Sequence, residues 1–65
     1  MNTALKNRRE ELSLTQVQVA IKAEITERGY QNYELGARNP GVYIAIRIAK
    51  ALKTTVEKLW GNSSA

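Results

Sequence analysis

The feature that most constrains this chain is a helix-start signature that occurs twice in close succession. In "LTQVQV", residues 14–19, Thr15 stands as an N-cap with Gln18 three residues on, a capping box, and Leu14 and Val19 occupy the two staple positions around it. In "AEITERGY", residues 23–30, the pattern restarts: Thr26 caps, and Ile25 and Tyr30 stand at staple spacing. One helix is therefore expected over about 16–23 and the next over about 27–35, with only two or three residues between them.

The rest of the chain reads as helix too. No alternating strand pattern occurs, and the single proline and four glycines mark junctions more than interiors. Leu5, Arg8, Arg9 and Leu12 recur at helical spacing, so a first helix is expected over about 3–12, started by Asn2 or Thr3. Gly36 supplies a left-handed stop for the third helix. After the loop "GARNPG", "VYIAIRIAKAL" carries a wide apolar stripe of Val42, Ala45, Ile46, Ile48, Ala49 and Leu52 on a fourth helix. "TTVEKLW" forms a short fifth helix that pins Val56, Leu59 and Trp60 to the core, and 61–65 are expected to fray. The expectation is one all-α domain over 1–65, with its core at about 3–60.

Composition narrows the function classes. At 65 residues the chain is near the lower limit for burying a self-sufficient core, and with no cysteine it has no disulfide to help. Without His or Cys, the commonest general base, metal ligand and thiol nucleophile are missing; there is no Asp, and the six Glu form no paired motif. The reading is that the protein is not an enzyme and uses no cofactor or metal. No apolar run approaches the ~20 residues of a membrane span, and nothing resembles a signal peptide. A cytoplasmic protein with neither a membrane nor a small-molecule partner is expected.

A net charge of +4 favours a polyanionic partner, and the distribution says more. From Gly36 to Lys53 there are four cations (Arg38, Arg47, Lys50, Lys53) and no acid, whereas Lys22 to Glu34 holds two cations against three glutamates. That contrast fits either a solvated basic face or a phosphate-facing loop and helix beside a nearly neutral element.

Taken jointly, "LTQ" at 14–16, Ala20, "YE" at 33–34, Gly36, "RNP" at 38–40, "IAKAL" at 48–52 and "LW" at 59–60 resemble the Cro and phage-repressor type of helix-turn-helix, over Leu5 to Trp60. The resemblance implies a compact five-helix, lambda-repressor-like domain with the helix-turn-helix at helices 2 and 3. It implies a transcriptional regulator, a repressor that binds a palindromic double-stranded DNA operator as a homodimer with helix 3 in the major groove. An antitoxin or protein-interaction module of the same fold, with DNA binding secondary, is the alternative.

Carried onto this chain, the resemblance places base reading at Glu27, Arg28 and Asn32 with Gln31 nearby. DNA backbone contacts fall to Gln16, Thr26, Arg38, Asn39 and Tyr43. The chemistry agrees, since Arg pairs with guanine O6/N7 and Asn with adenine N6/N7, while Glu27 could accept from cytosine N4 or simply favour the positive end of the helix dipole. Tyr43 could instead serve a dimer contact together with Ile44. Gly29, which costs about 1 kcal/mol relative to Ala in a helix interior, is read as permitting close approach to DNA, or else as making room for Tyr30. Arg9 and Glu34 resemble the family's structural ion pair between helices 1 and 3. Three positions depart from the family: Glu24 stands where the inter-helix turn usually has glycine, Gly41 replaces a Ser-type cap, and Lys53 occupies another common glycine position.

Overall fold

A computed structural model describes residues 1–61; the expectation of a frayed tail therefore lies, from 62 to 65, outside the described residues. Five helices follow one another: α1 (Thr3–Glu11), α2 (Gln16–Ala23), α3 (Glu27–Leu35), α4 (Val42–Ala51) and α5 (Val56–Trp60). No strand occurs among the described residues.

Side-chain caps start four of the helices. Asn2, rather than Thr3, caps α1, its Oδ1 accepting from the Leu5 N–H at 3.1 Å. At α2 the capping box is reciprocal: Gln18 N–H donates to Thr15 Oγ1 at 3.1 Å and Thr15 N–H to Gln18 Oε1 at 2.8 Å. Thr26 Oγ1 accepts from Gly29 N–H at 3.0 Å, and Thr55 Oγ1 from Lys58 N–H at 3.2 Å. Gly41 gives α4 no side-chain cap bond, as a residue without a side chain must.

Four of the five helix ends share one geometry. After α1, α2, α3 and α4 the chain turns through a left-handed residue, respectively Ser13 (φ 58°), Glu24 (φ 60°), Gly36 (φ 77°) and Lys53 (φ 54°). In each, the residue following the left-handed one donates five residues back, as in Leu14 to Arg9 (3.1 Å), Ile25 to Ala20 (3.0 Å), Ala37 to Asn32 (3.0 Å) and Thr54 to Ala49 (2.9 Å). These are Schellman turns. Only one uses glycine; the other three hold side-chain-bearing residues in a region that disfavours them by roughly 1–2 kcal/mol each.

The core is built from Leu5, Val19, Tyr30, Ile48 and Leu52, all fully buried. The small residues Ala20 and Ala23 on α2 and Ala49 on α4 lie buried where α2 and α4 make the most extensive helix pair of the fold. Leu59 is buried, with Val56 and Trp60 packed half-buried against the same core. The amino-terminal segment closes the structure: Asn2 N–H donates to Glu34 O at 2.9 Å, and its Nδ2 to Leu59 O at 3.1 Å.

The apolar stripe expected on α4 is narrower than its sequence suggests. Ala45, Ile48 and Ala49 are buried, as is Leu52 just beyond the helix, and Ile44 packs against them from one flank. Val42 (65% exposed) and Ile46 (38%) fall on the other flank and remain in solvent. α4 packs mainly against α2 and α5, so residues on the flank away from those helices lack full cover.

Candidate nucleic-acid interface

The inward side of α3 is held by a polar network. Arg9 donates from Nε to Glu34 Oε2 at 2.7 Å and from Nη2 to Glu34 Oε1 at 3.2 Å, a bidentate pair whose side chains are 13% and 7% exposed. A third bond runs from Arg9 Nη1 to Leu14 O at 3.0 Å, tying the ion pair to the turn before α2. Gln16, at the start of α2, donates from Nε2 to Glu34 Oε1 at 3.1 Å and accepts from Gln31 Nε2 at 3.3 Å. Burial alone would push the Glu34 carboxyl up, but the Arg9 hydrogen bonds, the adjacent Tyr30 hydroxyl, Gln16 and the Arg9 charge more than offset it, so it is held below the ordinary glutamate range. The bond to Glu34, opposed by burial, raises Arg9. Tyr30 is fully buried beside this pair, and among the described residues its hydroxyl makes no hydrogen bond. Burial, together with the nearby Glu34 carboxylate, raises that phenol far above its usual value.

The outward side of α3 is different. Glu27 and Arg28 are exposed in the first turn, and Gln31 and Asn32 are half-buried one turn later. Gln31 is engaged: its Nε2 donates to both Gln16 Oε1 and Glu27 Oε2 at 3.3 Å, so it braces α3 against α2 and orients Glu27. Arg28 and the Asn32 amide make no side-chain hydrogen bond or ion pair among the described residues. Thr26 is the α3 cap, and a Cβ placed on Gly29 would stand 3.1 Å from its Oγ1. Gly29 thus leaves room for the cap hydroxyl, an intramolecular reason for a glycine within the helix. In the following loop Arg38 and Asn39 are exposed, with Arg38 N–H bonded to Asn32 O at 3.4 Å, and Tyr43 on the first turn of α4 is 77% exposed. Ile44, paired with Tyr43 on sequence grounds as a contact surface, instead packs on the core; Val42 and Ile46 are its exposed apolar neighbours.

Two capped helices joined through Glu24, Ile25 and Thr26, with α3 presenting its first turn to solvent, have the architecture of a DNA-reading motif. A family model described as helix-turn-helix matches residues 5–59. The chain belongs to the helix-turn-helix family. It is a regulator of the Cro and phage-repressor type, a DNA-binding class, and α2 and α3 are its helix-turn-helix. No curated protein and no solved structure matches the chain. No helix among the described residues is long and apolar enough to cross a membrane.

Among the five arginines of this helix-turn-helix protein, three are committed within the fold. Besides Arg9, Arg8 donates from Nε to Leu52 O at 2.8 Å and from Nη2 to Lys53 O at 3.1 Å, and it pairs with Glu11. Arg47 donates from Nε to Ala23 O at 2.8 Å and from Nη2 to Glu24 O at 3.4 Å. Arg47, counted on sequence grounds with the acid-free stretch, thus turns its guanidinium to the end of α2. Glu24 and Lys53 stand at turn positions that favour glycine, and each of those turns has an arginine from another helix bonded to its carbonyls.

Proposed function

We propose that the protein is a sequence-specific, double-stranded DNA-binding repressor that acts in the cytoplasm as a homodimer on a palindromic operator, with α3 in the major groove. The observation that carries this reading is the contrast among arginines: Arg8, Arg9 and Arg47 are held by internal acceptors, whereas Arg28 and Arg38 are exposed and uncommitted among the described residues. Arg28 with Asn32 and Glu27 reads base edges, Gln31 orients Glu27, and Gln16, Thr26, Arg38, Asn39 and Tyr43 face the backbone. Phosphate contacts fix register and base contacts fix sequence. Gln16 retains one amide hydrogen for a phosphate beyond its bond to Glu34, since a primary amide has two donors. Gly29 keeps the helix surface low where it meets the groove.

Selection of bound sites from random duplex DNA, read together with the protein's mass in solution, tests this directly. The expected result is a two-fold symmetric site with half-sites about 34 Å apart and a dimer mass. Binding without sequence preference would contradict it.

A second reading has one observation in its favour. Val42, Tyr43 and Ile46 form an exposed apolar surface at the start of α4, of a kind that marks protein contacts. In an antitoxin or interaction module that surface would take a different protein; in a homodimer it would take a second copy. Copurification of a stoichiometric foreign partner from the native host would favour the former.

A further inference from the structure

We propose that Arg47 is a positioning residue for DNA reading: from α4 it clamps the left-handed turn between α2 and α3 and so sets how α3 is presented. The proposal rests on the DNA-reading function above. Glu24 holds φ 60° and ψ 43° without being glycine, and two consecutive carbonyls of its turn, Ala23 O and Glu24 O, accept from one guanidinium at 2.8 and 3.4 Å. A planar fork can hold two acceptors in fixed relation, whereas an ammonium supplies one point charge. The same cation also complements the negative end of the α2 dipole.

The clamp sits where a small rotation has the largest consequence. α3 spans nine residues, about 13 Å at 1.5 Å per residue, so a 10° tilt about its far end moves the near end by roughly 2 Å. That far end is fixed independently by the Glu34 bonds to Arg9 and Gln16. The near end, which carries Glu27 and Arg28, has the Gln31 to Gln16 bond at 3.3 Å and the turn itself. Loosening the turn therefore tilts the base-reading end about an anchored opposite end.

The fold contains its own control. Arg8 makes the same two-carbonyl clamp at Lys53, at 2.8 and 3.1 Å, between α4 and α5. Loss of either clamp destabilises; only loss of the Arg47 clamp should change reading. Lys22, Lys50 and Lys53 surround Arg47 in a shallow depression, so a direct phosphate contact by Arg47 is the competing role.

The test begins with a duplex selected from random DNA by the wild-type protein. Affinity for that duplex and for a scrambled one is then measured over a salt series, below each variant's thermal transition. The expected result for Arg47→Met is about a tenfold loss on the selected duplex, within the cost of one misaligned bidentate base contact, with the scrambled duplex and the salt slope unchanged. Arg8→Met should lower the thermal midpoint by several degrees and leave the ratio of affinities alone. Glu24→Gly should restore the ratio in the Arg47→Met background, because glycine adopts the turn without a clamp. Equal losses on both duplexes with a salt slope smaller by about one, a ratio changed by Arg8→Met, or no rescue by Glu24→Gly would overturn the proposal. Should Arg47→Met not fold, Arg47→Gln replaces it in the same comparison. Failure of the wild-type protein to select any site would overturn the functional reading and this proposal together, and differs visibly from a fault confined to the variants.

Discussion

The two sides of α3 handle polar groups in opposite ways. On the inward side Glu34 is buried and accepts from Arg9 twice and from Gln16 once, so its charge is matched and its geometry fixed. On the outward side Arg28 is exposed, and neither it nor the Asn32 amide has a side-chain partner among the described residues. The difference teaches which polar residues hold the helix and which are available to a ligand, within a single nine-residue element. An arginine is diagnostic here only through its acceptors.

If the inward side is structural, breaking it should produce the largest effect on stability. Arg9→Ala leaves Glu34 buried without its cation, and removal of one partner of such a pair typically costs roughly 3–5 kcal/mol. Urea unfolding at neutral pH would measure it, and a small loss would show that solvent reaches Glu34. The same pair sets an acid limit. Glu34 has a lowered pKa in the fold, so its contribution is fully present above the unfolded value of about 4.3 and is lost as pH falls through the folded value. Stability followed from pH 6 downward should drop there, and Glu34→Gln should lose that part of the slope.

Smaller effects sharpen the outward side. Arg28→Ala and Asn32→Ala should each reduce affinity for the preferred duplex by about 1–3 kcal/mol, relax specificity at one base position, and leave the thermal midpoint in place. Arg38→Ala should weaken binding to every duplex alike and reduce the salt slope by about one.

Gly29→Ala should be the least visible in unfolding. A gain of about 1 kcal/mol in helix propensity is opposed by pressure on the Thr26 hydroxyl at 3.1 Å, and a lost cap costs roughly 0.5–2 kcal/mol. The effect should appear in DNA affinity. A stabilised variant that binds its operator as well as wild type would remove Gly29 from the interface.

Much of this architecture was legible because it is local. Caps at Thr15 and Thr26, the stop at Gly36 and the short second turn each follow from residues within one or two turns of one another. What was not legible depends on distant partners. Nothing near Arg47 in the sequence announces that it reaches 24 positions back to Ala23, nor does the neighbourhood of Arg8 point to Leu52, 44 positions on. The apolar pattern of α4 likewise could not say that Val42 and Ile46 lack cover, because cover comes from neighbouring helices. The candidate site comes from family resemblance more than from composition: Arg28 and Arg47 have the same side chain, and only their acceptors separate them.

The central claim, that the outward side of α3 reads sequence while the inward side holds the helix, is tested most directly by one ratio. Arg28→Ala is compared with wild type on the selected and the scrambled duplex at fixed salt. The predicted result is a loss of about ten- to a hundredfold on the selected duplex alone, with scrambled binding and thermal midpoint unchanged. Equal losses on both duplexes would contradict the account.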